Sequence, residues 1–127
     1  MTKKALVIDD SRAMRTILGG ILGELGYEVQ GAEDGSRALD ILNAGDSFDL
    51  ALVDWNMPQM SGYDFVCEVR GEPRFSDVRL VMVTTETEVA RMSDALDAGA
   101  DEYIMKPFNK EMLLEKLMLL GIEAERG

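Results

Sequence analysis

Four apolar runs in this 127-residue chain stop on side chains that could do chemistry. KALVI (Lys4 to Ile8) runs into Asp9 and Asp10, and LALV into Asp54. RLVMV runs into Thr84 and Thr85, and EYIM into Lys106 and Pro107. The chain has no histidine. Ser-His and Cys-His nucleophile pairs, imidazole bases and imidazole metal sites are therefore excluded. Any chemistry must run on carboxylates, hydroxyls, lysine and backbone. The single cysteine, Cys67, cannot form an internal disulfide, and its helical spacing predicts a small buried hydrophobe.

If the first and third runs are neighbouring strands, Asp9, Asp10 and Asp54 converge at one place. Carboxylates that close either repel at heavy cost or force one of the group to protonate. A hard divalent cation relieves the strain, and Mg2+ takes oxygen ligands, commonly carboxylates and waters with a phosphate completing the shell. Thr84 and Lys106 supply a hydroxyl and an ammonium suited to a phosphoryl group. Phosphoryl transfer depends on in-line positioning and charge neutralisation more than on a base. A carboxylate can itself accept the group as an acyl phosphate. Asp54, at the end of an apolar run, is the candidate acceptor.

The elements that must hold these residues alternate. Strands are predicted at Lys4 to Ile8, Tyr27 to Ala32, Leu50 to Asp54, Arg79 to Thr84 and Asp101 to Met105. The second, the least apolar, suits a sheet edge. Between and after them lie helices at SRAMRTILGGILGELG, GSRALDILNAG, YDFVCEVR, EVARMSDALDAG and NKEMLLEKLMLLG. Ser11 is placed to cap the first helix and Gly26 to stop it. Its stripe of Met14, Ile17, Leu18, Ile21, Leu22 and Leu25 faces a core. The second helix should bury Ala38, Leu39 and Leu42, the third Phe65, Val66 and Val69, and the last Leu113, Leu117 and Leu120. Short strand-helix-strand units require parallel strands with right-handed crossovers. The fold class is α/β, an open doubly wound five-stranded sheet with helices on both faces. No linker or repeat interrupts it, so residues 1–127 are read as one domain. In such sheets ligands bind at the carboxyl ends of the strands.

Composition narrows the function. Apolar residues are 46% of the chain, and no 18-residue apolar run is present, so no membrane span is expected. The N-terminus lacks the apolar core of a signal peptide, which suggests a cytoplasmic protein. A formal net charge of -11 disfavours unaided binding to nucleic acid or an anionic membrane.

VIDDSRAMR, ALVDWNMPQMSG, MVTTE and YIMKPF together resemble the receiver domain of bacterial two-component response regulators, in the stand-alone, CheY-like chemotaxis type. The likeness covers essentially the whole chain. It implies a flavodoxin-like strand order of 2-1-3-4-5. It also implies that Asp54 is phosphorylated, that Asp10 binds Mg2+ directly, that Asp9 holds metal-bound water, and that the Asn56 backbone carbonyl is a further ligand. Thr84 and Lys106 match the phosphate-contacting pair and Tyr103 the aromatic switch. The Lys106–Pro107 bond matches a cis peptide, and Asn56 and Glu86 match positions that tune phosphoryl lifetime. The implied phosphodonor is a CheA-like sensor histidine kinase, which brings the histidine missing here. A phosphatase partner is possible. The downstream target is a protein, such as a flagellar motor switch, contacted through a face holding Met92, Tyr103, Met105 and Lys116. The chain would catalyse only its own phosphorylation and dephosphorylation and would not be an enzyme on other substrates.

Two departures keep the partner open. Lysines typical of the early fourth helix are replaced by Glu88, Val89, Ala90 and Arg91, and Leu119 stands where another lysine is usual. A phosphorelay intermediate or a regulator of a non-motor partner stays possible. Met112, Leu114, Met118 and Leu119 widen the apolar surface of the last helix beyond one stripe, which suits a partner face. Each candidate also has a plainer role. Asp10 could cap a helix, Asp54 could open a turn, Lys106 could be a solvated lysine and Tyr103 could be core packing. Two other functions share the chemistry or the fold. A haloacid-dehalogenase-like phosphatase wants its nucleophile on the first strand with a second aspartate two residues on, and here that position is Asn56. A flavodoxin-like cofactor binder wants a hydroxyl-rich phosphate loop, where this chain has DDSRA.

Overall fold

The computed structural model describes residues 3–45, 47–57 and 60–121, with the backbone alone at 86 and 87. The elements are β1 (Lys3–Ile8), α1 (Arg12–Glu24), β2 (Tyr27–Ala32), α2 (Gly35–Asn43), β3 (Leu50–Asp54), α3 (Gly62–Arg70), β4 (Arg79–Thr84), α4 (Met92–Ala98), β5 (Glu102–Met105) and α5 (Lys110–Leu119). The strands form one parallel sheet in the order β2-β1-β3-β4-β5.

Alternation along the strands builds two cores from one sheet, because successive side chains point to opposite faces. Leu6, Ile8, Ala51, Val53, Leu80 and Met82 pack with α2, α3 and α4. Ala5, Val7, Leu50, Leu52, Val81 and Val83 pack with α1 and α5. Residues 5–8 and 50–53 are all buried, as strands covered on both faces must be. Helix starts are capped by short polar side chains. Ser11 accepts from the Met14 N–H at 3.2 Å, Asp34 from Arg37 at 2.8 Å, Ser61 from Asp64 at 3.1 Å and Asn109 from Met112 at 2.9 Å. Ser11, not Asp10, therefore caps α1.

Several expectations need correction. The predicted fourth helix is two pieces, a 3-10 turn over Glu86–Arg91 followed by α4. Met92, placed on the partner face from sequence, is 2% exposed and shares the inner face of α4 with Ala95. Cys67 is exposed. The buried stripe of α3 runs through Gly62, Phe65, Val66 and Val69, and Cys67 falls outside that arc. Ile17 is 54% exposed, because Leu18 and Leu22 are the buried positions of α1. Leu39 and Leu120 are only partly buried, at the rims of the two cores.

One arginine ties the lower part of this arrangement together. Arg70, ending α3, donates to the carbonyls of Gly99 (2.8 Å), Phe75 (3.0 Å) and Val78 (2.8 Å) and to the Asp101 carboxylate (2.9 Å). Asp101 also accepts from the Leu80 N–H at 2.8 Å. Gly99 sits at φ +121°, and a Cβ there would meet the Arg70 side chain at 2.5 Å. Sequence reading missed this pair. Its only signal was an Arg at a helix end and an Asp just before a strand.

Candidate functional site: an acidic cluster at the strand ends

The register of the sheet assembles the site. Ile8 pairs with Val53, so Asp9 and Asp54 emerge side by side where the two strands end. Asp54 itself pairs with Val83, and Thr84 pairs with Met105, so Lys106 arrives next in line. The Lys106 N–H donates to the Thr84 carbonyl at 2.7 Å, and the Lys106–Pro107 bond is cis.

Carboxylate oxygens of Asp9, Asp10 and Asp54 lie within 4.8 Å of one another. Asp9 and Asp54 are buried and Asp10 is exposed. The Lys106 ammonium stands 3.4 Å from Asp54 Oδ1 and 3.5 Å from Asp9 Oδ2. These contacts are long, so they act as ion pairs more than as hydrogen bonds. Asp9 Oδ1 accepts from the Ser11 N–H at 2.9 Å, whereas Oδ2 has no hydrogen-bond partner among the described residues. The backbone of Asp9 is pinned by Arg15, whose guanidinium donates to the Asp9 carbonyl at 2.8 Å.

Burial pushes the Asp54 carboxyl up to about 6, and the neighbouring Asp9 charge adds to this. Lys106 and the Asn56 N–H pull the other way by favouring the anion. At neutral pH Asp54 is thus mainly ionised, yet it sits where its charge is poorly compensated. A buried oxygen that only the Lys106 ammonium approaches among the described residues, two further carboxylates and a raised pKa at Asp54 are what a hard cation would satisfy, and these residues fit one.

The other predicted residues fall around this centre. Thr84 is buried, and its hydroxyl donates to the Thr85 carbonyl at 3.3 Å. Asn56 is exposed beside Asp54. The Glu86 side chain lies outside the described residues. Tyr103 is half-buried against the core, with the Lys116 ammonium 4.9 Å from its ring centre. Lys116 also pairs with Glu102 at 3.5 Å. Tyr103, Met105, Met112, Lys116 and Leu119 line a cleft of about 340 Å³, so three of the four residues placed on a common face do meet there.

Gly62 escaped sequence reading. A Cβ at this first residue of α3 would stand 2.7 Å from the Asp54 carbonyl oxygen and 2.8 Å from Met82 Cε. The helix can press against the acceptor strand only with glycine there.

A doubly wound parallel sheet that gathers three carboxylates and a lysine at its carboxyl edge defines an open-sheet α/β domain with its polar site where such sheets bind ligands. The chain belongs to the response regulator receiver domain family, which it matches over residues 5–118. It is 45% identical over 120 residues to the chemotaxis protein CheY1 of Helicobacter pylori, covering 93% of this chain and 97% of that one. To the chemotaxis protein CheY homolog of Campylobacter jejuni it is 44% identical over 126 residues, covering 98% and 97%. The solved structure of Vibrio cholerae CheY4 superposes with a TM-score of 0.86 at 36% identity, over 94% of this chain and 99% of that one. The phosphatase and flavodoxin-like alternatives fall to this membership, and Asp54 ends β3 rather than the first strand.

Proposed function

We propose that this receiver domain is a chemotaxis switch that takes a phosphoryl group on Asp54. The observation that carries the reading is the Lys106 ammonium set between Asp54 and Asp9, at 3.4 and 3.5 Å, inside a three-carboxylate cluster. Asp9, Asp10, Asp54 and the Asn56 carbonyl would hold Mg2+. When bound, the ion supplies positive charge to the phosphoryl oxygens. Lys106 neutralises a further oxygen, and burial of Asp54 excludes competing water. Asn56 and Glu86 tune how fast water later removes the group, so catalysis is confined to the domain's own phosphate.

Family membership implies a kinase phosphodonor and a downstream target. The finer reading is a CheA-like histidine kinase in the cytoplasm and a motility partner, supported by the similarity to CheY proteins. A non-motor partner is favoured by one observation: Leu119, 72% exposed, adds hydrocarbon to the cleft that Tyr103, Met105 and Lys116 line. Phosphorylation adds roughly two negative charges at Asp54. Thr84 turns its hydroxyl toward them, Tyr103 moves into the space behind, and the face with Met105 and Lys116 changes its preference between partners.

The test uses acetyl phosphate or beryllofluoride with Mg2+, followed through Trp55, the sole tryptophan, and by intact mass. Wild type gains one phosphoryl from acetyl phosphate, and either reagent changes its emission. Asp54→Asn does neither, and an equal response in that variant sinks the assignment.

A further inference from the structure

A cleft of about 390 Å³ opens at the amino edge of the sheet, the end opposite Asp54, between the close of α2 and the starts of β3 and β4. Buried Leu42, Phe48 and Val78 give it an apolar lining, and the half-buried Phe75 ring adds to it. Two carboxylates, Asp49 and Asp77, share the cleft with this hydrocarbon. Asp49 is held firmly between two strands. Its N–H donates to the Lys4 carbonyl at 2.8 Å, its carbonyl accepts from the Arg79 N–H at 3.1 Å, and its Oδ2 accepts from the Lys4 N–H at 2.8 Å. Neither Asp49 nor Asp77 has an ion pair among the described residues, and the Asp77 side chain has no hydrogen bond among them either. The cations nearby are committed elsewhere. Arg74 lies over the Phe75 ring, 4.7 Å from its centre, donates to Asn43 and pairs with Glu72 at 3.5 Å. The Lys4 ammonium lies 5.2 Å from the centre of the Phe48 ring, and Arg79 is 3.9 Å from Asp101. Both rings of the cleft thus already draw a cation to a face. Exposed acids are ordinary on a chain of net charge -11, but a preformed cleft that sets two of them beside four apolar side chains has the makings of a ligand site.

We propose that this cleft binds a small organic monocation, a primary ammonium carried on an apolar body of about ten non-hydrogen atoms in all. The ammonium is received by the free Oδ1 of Asp49 and by the Asp77 carboxylate, and the body packs on Leu42, Phe48, Phe75 and Val78. Both halves of the ligand are needed. An anion of the same shape meets two carboxylates, and the one guanidinium of the cleft is already matched by Glu72. A cation without hydrocarbon leaves the apolar lining wet and gains only a screened surface attraction. Because the two carboxylates are exposed, binding is weak, with a Kd on the order of a millimolar. The site lies away from the carboxyl edge and does not depend on Asp54 being the phosphoryl acceptor.

The experiment maps amide shifts of the isotope-labelled full chain by NMR, at low salt and without Mg2+. The probe is phenethylamine, with phenylacetate as its anionic counterpart, phenylethanol as its neutral one and methylammonium as the charge without the body. Phenethylamine should shift the amides of Gly45, Ser47, Asp49 and Asp77 saturably, and bind at least about fivefold more tightly than any of the other three. Asp77→Asn should weaken phenethylamine about three- to fivefold, and Asp77→Lys should weaken it further. Asp77 is exposed and its side chain holds no hydrogen bond among the described residues, so both variants should keep the fold, which the unchanged remainder of the spectrum checks. Phenylacetate or phenylethanol binding as tightly as phenethylamine overturns the proposal, and so does an affinity unchanged in both Asp77 variants. Shifts confined to the carboxyl edge around Asp10 and Asp54, or no saturable shift at about ten times the expected Kd, overturn it as well. Binding is read without phosphorylation, so each of these failures leaves the assignment of Asp54 untouched.

Discussion

The Lys106 ammonium and the Asp54 carboxylate, 52 residues apart in sequence, stand 3.4 Å apart at the carboxyl edge of the sheet. Asp9 lies 3.5 Å from the same ammonium, so one cation faces two buried carboxylates. The excess negative charge controls both the stability of the domain and its appetite for a cation.

Asp54 titrates at about 6, above its ordinary 3.8. The folded state holds that proton more tightly than the unfolded chain does. Its contribution is fully present below about pH 3.8 and is lost as pH rises through about 6. Asp54→Asn removes the penalty. Without metal the variant should be more stable than wild type at pH 7.5 by about 1–2 kcal/mol, after allowance for solvent screening. The gain should shrink toward pH 4. Urea unfolding at the two pH values measures it, and a gain equal at both would refute the electrostatic cause.

Mg2+ should bind in competition with protons. Affinity falls as pH drops below about 6, because Asp54 must be ionised to serve as a ligand. Saturation at about a hundred times Kd should add about 2.7 kcal/mol of stability. Asp10→Asn should weaken binding at least about tenfold while leaving the metal-free melting temperature nearly unchanged, because Asp10 is exposed. Calorimetric titration at pH 5.5 and 7.5 checks both statements.

Gly62→Ala forces a methyl into the Asp54 carbonyl and Met82. We expect destabilisation of about 2–4 kcal/mol and slowed phosphorylation, since the acceptor strand must shift. Gly20→Ala is the control. Its added Cβ meets nothing within 4 Å on an exposed face of α1, so a gain of about 0.5–1 kcal/mol should follow. Chemical denaturation of both variants distinguishes contact from helix propensity.

Arg70→Met leaves Asp101 only its longer pair with Arg79, at 3.9 Å, and takes a donor from the carbonyls of Gly99, Val78 and Phe75, of which Phe75 keeps the Val78 N–H. The expected loss is about 2–4 kcal/mol. Phosphorylation of Asp54 in the folded fraction should persist, because the arginine acts away from the carboxyl edge. Hydrogen exchange should locate the loosened region at β4, Gly99 and the Phe75 turn.

Much of the site was legible before any coordinates. Asp9, Asp10, Asp54, Thr84 and Lys106 each follow an apolar run, and a strand that ends must deliver its next side chain to the sheet edge. The second strand was assigned correctly to an edge, and four of the helix starts carry short polar caps at their first turn. Contacts that depend on three-dimensional shape were not legible. Cys67 and Ile17 look apolar and periodic in the sequence, yet neighbouring positions took the inward arc of their helices. Met92 was placed on the partner face, but it lies buried beside Ala95 on the inner face of α4.

Local order followed from residue chemistry alone. Alternating apolar runs, caps and stops gave the elements, and polar residues at the run ends gave the candidate site. Only the tertiary structure decided which strands are neighbours, that Lys106 reaches both Asp54 and Asp9, and that Gly62 must lack a side chain. The physical reason is range. Backbone propensity and periodicity act over a few residues, whereas charge pairing, steric exclusion and cleft shape depend on distances set by how distant segments pack.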